Sequence, residues 1–87
     1  MYCILFYDVN EKRVARVHKL MKKYLNWVQN SVFEGELTEG QFEALRINLK
    51  ERIKEEEDSV IVYQLGNLKY TNRLIIGQEK NPTENLL

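Results

Sequence analysis

Asp8 is the residue whose type and position point most directly to chemistry. It follows an unbroken run of apolar and aromatic residues, Met1-Tyr2-Cys3-Ile4-Leu5-Phe6-Tyr7. Such a run predicts a strand that is buried on both faces, and Val9-Asn10-Glu11 predicts a turn into a helix. A carboxylate would then stand at the C-terminal end of a core strand, where α/β-type sheets commonly place ligand chemistry. The alternative is a solvated strand end or a cap for the following helix.

A basic helix is the second feature of interest, predicted from Lys12 to Tyr24. Apolar residues recur with helical spacing, and the polar face is almost wholly basic. Like charges three and four residues apart repel one another, which costs the helix stability. A helix that carries the row Arg13, Arg16 and Lys19 in spite of this cost is expected to face phosphate groups. The alternative is pairing with the acidic residues 34–58, which carry nine acids against four bases.

Several other kinds of site are excluded by what the chain contains. Serine, histidine and cysteine are too few for a nucleophilic triad, and neither a glycine-rich phosphate loop nor the aromatic RNA-binding sheet motif is present. His18 is predicted to be a surface helix residue and the only cysteine, Cys3, a core residue. Residues 55–58 are predicted to form a solvated acidic turn. The lack of a disulfide framework and of a long apolar run predicts a cytoplasmic location without a membrane span.

The remaining elements predict an α+β fold. Trp27 to Leu37 predicts two short strands or one bent strand, and a capping box at Thr38 and Gln41 begins a second helix that runs to about Lys54. Strands are predicted from Ser59 to Leu65 and from Tyr70 to Ile76. This order predicts a ferredoxin-like βαββαβ sandwich with an extra C-terminal strand, with residues 1–76 as the domain and residues 77–87 as a flexible tail.

A homodimer is also predicted, because both helices lie on one face of such a sheet and the other face needs a cover. If the two-fold axis passes near Asp8, two carboxylates face one another and favour a cation between them. A hard divalent ion such as Mg²⁺ suits oxygen ligands and could support phosphodiester hydrolysis.

Three segments carry a resemblance to a known family: Phe6-Tyr7-Asp8-Val9, Lys12 to Val17, and Val28-Gln29-Asn30-Ser31-Val32-Phe33-Glu34-Gly35-Glu36-Leu37. They resemble the CRISPR-associated endoribonuclease family, which is the small second core subunit of the spacer-acquisition machinery. The resemblance spans roughly residues 1–76. It implies a ferredoxin-like homodimer whose two Asp8 carboxylates share Mg²⁺, a nuclease acting on single-stranded RNA or double-stranded DNA, and a partnership with the adaptation integrase.

Residue by residue, the resemblance implies roles for five positions. Asp8 matches the metal ligand, while its neighbour Tyr7 and Ser31, in a segment near the site, are predicted to be further catalytic residues. Arg13 and Arg16 match the basic first helix of the family, and Lys19 continues the row of cations that we expect to bind nucleic acid. Many members carry a further acid where this chain has Asn10, so catalysis rests on Asp8 alone.

Two other functions remain open. A non-catalytic dimer could bridge integrase subunits across DNA, and a toxin-like ribonuclease could share the fold. The bridging function needs the dimer and the basic helix but does not need Asp8.

Overall fold

The computed structural model describes residues 1–66 and 71–79, which form two helices and a five-stranded antiparallel sheet. In chain order the elements are β1 (Tyr2–Asp8), α1 (Glu11–Tyr24), β2 (Asn26–Gln29), β3 (Val32–Glu36), α2 (Glu39–Arg52), β4 (Ser59–Leu65) and β5 (Thr71–Gly77). The strands lie in the order β2-β3-β1-β4-β5. The first four strands and the two helices make the ferredoxin-like arrangement, and β5 is the extra strand beside β4. The predicted α+β fold is confirmed.

Both helices begin at side chains that satisfy the otherwise unpaired amides of a first helical turn. The Asn10 carboxamide oxygen accepts from the Lys12 N–H at 2.9 Å. At α2 the Thr38 hydroxyl accepts from the Gln41 N–H at 3.1 Å, and the Gln41 side chain accepts from the Thr38 N–H at 2.9 Å. The predicted capping box is therefore confirmed. Helix α2 ends at Arg52, two residues before the predicted end.

The core lies between the helices and one face of the sheet. Side chains alternate along β1, so Cys3, Leu5 and Tyr7 are buried while Tyr2, Ile4 and Phe6 are half-buried on the other side. The sequence predicted that both faces of β1 are buried. Within one chain only the face toward the helices is buried, so this prediction is half correct. Helix α2 and the residue that follows it contribute four apolar side chains to the same core: Phe42, Leu45, Leu49 and Ile53.

We call the sheet surface opposite the helices the open face. Cross-strand register places Phe6 beside Val32 and Ile61, and Ile4 beside Tyr63. The rings of Phe6 and Tyr63 pack edge to face with centroids 5.9 Å apart. The open face therefore carries a continuous set of apolar and aromatic side chains around the middle of β1.

A tight turn at Asn30-Ser31 separates β2 from β3, which decides between the two predictions for this segment in favour of two strands. Asn30 has a φ of 45°, a left-handed conformation that asparagine tolerates better than most residues. The register shifts between Trp27 and Gln29, as a bulge would require.

Strand β5 ends where its backbone meets the loop before β4. Gly77 has a φ of +91°, and a Cβ atom there would lie 2.3 Å from the Asp58 carbonyl oxygen. That oxygen accepts from the Gln78 N–H at 2.7 Å. The strand thus includes Gly77, one residue beyond its predicted end. Tyr70, the predicted first residue of this strand, lies outside the described residues. Residues 80–87 also lie outside them, so the flexible tail stays a prediction.

Cys3 is a free, buried thiol, as predicted for a small core residue. Burial raises the pKa of that thiol, so it stays protonated at neutral pH. In the described ranges, neither helix has the length and apolar character that a membrane crossing demands.

Candidate functional site

Asp8 is exposed at the end of β1 and belongs to the open face. In the pairing of β1 with β4 it lies opposite Ser59, and Phe6, two residues earlier on the same face of β1, lies opposite Ile61. The carboxylate therefore stands at one end of the apolar set of the open face. This is the end at which β1 leaves the sheet and the chain turns into α1.

Tyr7 projects from the opposite face of the sheet, so its side chain is not brought together with that of Asp8. It is 8% exposed and its ring stacks on Phe33 with centroids 6.2 Å apart. Its hydroxyl lies 3.1 Å from Nδ1 of His18. Burial raises the pKa of the Tyr7 phenol, so the neutral phenol is the stable form. The structure gives Tyr7 a packing role, and a catalytic role for it stays a prediction.

Ser31 lies beside the end of β1 through its backbone. Its carbonyl oxygen accepts from the Tyr7 N–H at 3.1 Å, which continues the β1–β3 ladder past Phe6. The β2–β3 turn is thus attached to the residue that precedes Asp8. Ser31 is half-buried, and its predicted catalytic role stays a prediction.

Arg13 has an intramolecular partner that the sequence did not reveal. Its Nε donates to Oδ2 of Asp58 at 2.6 Å, its Nη2 donates to Oδ1 of Asp58 at 3.1 Å, and Nη2 also donates to Glu57 at 3.1 Å. This bidentate pairing raises the pKa of the arginine further above its usual range. The alternative, in which the basic helix pairs with acidic residues 34–58, therefore holds for Arg13. Its predicted contact with nucleic acid would have to compete with two carboxylates.

The prediction of a solvated acidic turn at residues 55–58 is wrong for Asp58. Its side chain is fully buried and accepts from the backbone N–H groups of Asn10 at 2.9 Å and Lys54 at 2.8 Å, in addition to Arg13. Burial alone would raise the pKa of Asp58, but the hydrogen bonds from Arg13 and the two amides outweigh it and lower the pKa to about 2. Asp58 thereby holds the turn that follows Asp8. No local sequence signal separates it from the three exposed glutamates before it.

Arg16 and Lys19, the other two predicted nucleic-acid contacts, are exposed on α1. They line a pocket of about 240 Å³ together with Leu20, Lys23 and Arg52. Arg52 comes from the last turn of α2 and was not predicted, because helix periodicity does not show which residues of two helices meet. Four cationic side chains around one pocket can hold a phosphate group. The pocket lies in the helical layer, whereas Asp8 belongs to the open face.

Metal binding at Asp8 would need ligands in addition to those that the described residues of one chain supply. Within residues 1–66 and 71–79 no group of three or more histidine, cysteine or acidic side chains could hold a metal ion. Mg²⁺ commonly takes one or two carboxylates and completes its shell with water and substrate phosphate. An exposed oxygen ligand at the edge of the open face fits one half of such a site.

Known proteins that match this chain share both its sequence and its fold. The model of the family described as CRISPR associated protein Cas2 matches residues 1–73. The chain belongs to the Cas2 family. A relative from Dictyoglomus turgidum, named CRISPR-associated endoribonuclease Cas2, is 51% identical over 87 residues, with all of both chains covered.

Solved structures of the Cas2 family agree with this assignment. A crystal structure described as Cas2 shares 49% identity with a TM-score of 0.74, and the match covers 94% of this chain and 92% of the other. Cas2 from Streptococcus pyogenes shares 33% identity with a TM-score of 0.70, covering 98% and 94%. The predicted family is therefore confirmed.

Proposed function

We propose that this Cas2-family chain is a magnesium-dependent endonuclease that hydrolyses phosphodiester bonds in single-stranded RNA or double-stranded DNA, and that it acts with the adaptation integrase when new spacers are inserted. The observation that carries the nuclease proposal is the exposed Asp8 carboxylate where β1 ends at the edge of the open face. The endoribonuclease name of the relative from D. turgidum supports the same reaction class. The cytoplasm is the compartment that we infer for this role.

Asp8 would hold the metal together with the Asp8 of a second copy. The cation would polarise phosphate oxygens and lower the pKa of a bound water. The chain itself contributes a turn held in place: Asp58 fixes the backbone of Asn10, two residues after the carboxylate, by a hydrogen bond of 2.9 Å. Positioning of this kind keeps the ligand near its productive geometry.

The direct test compares cleavage of labelled single-stranded RNA and duplex DNA in magnesium and in chelator. We expect cleavage in magnesium, its loss in chelator and its return when excess magnesium is added. The substrate that is cut identifies the preferred nucleic acid. Equal product in magnesium and chelator would contradict the metal mechanism.

The homodimer is the second part of the proposal and rests on the open face. A domain of this size buries only about 60–65% of its unfolded surface, so covering the half-buried Ile4, Phe6 and Tyr63 would stabilise it. A two-fold arrangement would also bring a second Asp8 to the same interface.

Replacing Phe6 with glutamate is expected to convert the dimer to a monomer, because a charge would be buried in an apolar interface. Light scattering coupled to gel filtration measures the mass directly. Ile47→Glu is the matched control, since Ile47 is 51% exposed on α2 and lies outside the open face. A Phe6→Glu variant with the dimer mass would place the interface elsewhere.

Arg16 and Lys19 are proposed to bind the nucleic-acid backbone in the pocket that they share with Arg52. The double substitution Arg16→Ala, Lys19→Ala is expected to weaken duplex binding and to reduce the slope of log affinity against log salt by about 1 per lost phosphate contact. Anisotropy titrations at several salt concentrations measure both quantities. Lys50→Ala, an exposed lysine of α2, should leave the slope unchanged. An unchanged slope in the double variant would move the backbone contact to another surface.

A DNA-bridging scaffold without catalysis is the alternative function. It is favoured by the separation of the basic pocket in the helical layer from Asp8 on the open face, since a nucleic acid held in that pocket need not reach Asp8. This alternative predicts duplex binding that weakens with salt, together with no magnesium-dependent cleavage of either substrate. Spacer integration by the Asp8→Asn protein with its integrase would assign the adaptation role to the scaffold.

A further inference from the structure

Trp27 is a large aromatic residue that the proposed mechanism does not use. It is 55% exposed on β2, and it is the only tryptophan of the chain. Its indole Nε1 donates to the Asn30 carbonyl oxygen at 2.8 Å, so the polar atom of the ring is already satisfied by the β2–β3 turn. The ring therefore offers solvent an apolar surface in a set orientation.

A chain of aromatic contacts supports Trp27 from the core outward. His18 of α1 packs edge-on against Trp27 with centroids 5.5 Å apart, and against Phe33 at 5.0 Å. The hydroxyl of the buried Tyr7 lies 3.1 Å from Nδ1 of the same imidazole. His18 was predicted to be an ordinary surface residue, whereas the structure makes it the link between the core and the exposed indole. Such support reduces the conformational entropy that a ligand would have to remove on binding.

A groove of about 550 Å³ adjoins this aromatic chain, because His18 both contacts Trp27 and lines the groove. Its surface is mostly apolar, and two lysines accompany a single glutamate. The lining residues are Glu11, Val14, Ala15, His18, Lys19 and Lys22. An apolar surface that carries cations beside an exposed aromatic ring has the chemistry of a single-strand binding site, in which bases stack on rings and cations hold the backbone.

We propose that Trp27 is a base-stacking contact for an unpaired nucleotide, whose adjacent phosphates are held by Lys19 and Lys22. This inference rests on the proposed nucleic-acid function and adds a preference for single strands. Bases of a duplex are already stacked on one another, so their faces are not accessible to the indole. Trp27 and Asp8 project from opposite faces of the sheet, since Trp27 pairs with the buried Phe33. The indole therefore contacts a different nucleotide from the one beside Asp8.

Fluorescence of the wild-type protein tests the contact without any substitution, because all of its tryptophan emission comes from this one position. The protein is titrated in chelator with a short single-stranded RNA, with a duplex of the same sequence, and with an abasic oligonucleotide of the same length. We expect the single strand to quench the emission and the abasic strand to bind without quenching. Binding of the single strand with unchanged emission would overturn the proposal.

Affinity measurements on variants test the energetic contribution. Trp27→Ala is expected to weaken single-strand binding by about 5- to 100-fold, with duplex and abasic affinities unchanged, and Trp27→Phe is expected to retain most of it. Val28→Ala is the matched control, a residue of the same strand that is 48% exposed. Equal loss for all three ligands would assign Trp27 a structural role and overturn the proposal.

The outcomes also separate this inference from the nuclease proposal. Magnesium-dependent cleavage with neither quenching nor a single-strand defect in Trp27→Ala would refute the stacking contact alone. Quenching by the single strand without cleavage in magnesium would support the contact and refute the nuclease proposal. A wild-type protein that binds neither single strand nor duplex would refute both.

Discussion

Replacing Asp58 with asparagine is expected to lower the free energy of unfolding by about 3 kcal/mol, a large share of what a domain of this size possesses. Asparagine cannot accept from Arg13 through two carboxylate oxygens and also from the amides of Asn10 and Lys54. The change leaves the arginine, whose side chain is 14% exposed, with the exposed Glu57 as the one remaining carboxylate of its two ion-pair partners. Urea unfolding followed by circular dichroism measures the difference.

Glu57→Gln is the control for the Asp58 prediction. It also removes a carboxylate that pairs with Arg13, but that side chain is 44% exposed. Exposed ion pairs contribute at most about 1 kcal/mol, so the control should stay close to the wild-type stability. Equal losses in the two variants would show that burial of Asp58 is not what makes its ion pair important.

Stability should also depend on pH through Asp58. Its pKa falls from 3.8 in the unfolded chain to about 2 in the folded protein. A lowered carboxyl pKa contributes stability that is fully present above about pH 4 and is lost as the pH falls toward 2. After allowance for solvent screening this contribution is on the order of 1 to 2 kcal/mol. The Asp58→Asn protein should lack this part of the acid sensitivity.

Replacing Asp8 with asparagine is expected to reduce magnesium-dependent cleavage by at least about 100-fold, because the charged metal ligand is lost while the shape of the side chain is kept. The fold should be retained, since Asp8 is exposed at a strand end and asparagine keeps an acceptor oxygen in its side chain. Cleavage rates across a magnesium titration, with thermal unfolding of both proteins, measure the two effects.

Glu51→Gln is the matched control for Asp8, because it removes an exposed carboxylate from α2, in the other layer of the domain. It should cleave at the wild-type rate. Cleavage by Asp8→Asn at the wild-type rate, still abolished by chelator, would place the metal at other ligands. Recovery of the variant at very high magnesium would instead indicate weakened binding at the same site.

The elements around the candidate site were predictable because their signals are local. The apolar run predicts β1 with Asp8 at its end, and the capping box predicts the start of α2 from contacts three residues apart. Alternation along a strand decides on which face of the sheet each β1 side chain lies, so the side chains of Tyr7 and Asp8 lie on opposite faces. What remained open locally was the segment from Trp27 to Leu37, because a bulge and a tight turn interrupt its alternation.

The sequence by itself determined the fold class, the capped start of α2, the buried Cys3 and the family of this chain. These depend on residue type and on spacings within one turn or one strand. The tertiary structure alone decided that Asp58 is buried against Arg13, 45 positions away. It also decided that Arg52 joins the basic pocket of α1, and that His18 supports Trp27. Packing between separate elements brings these side chains together, and no periodicity in the chain encodes which residues meet when the elements fold.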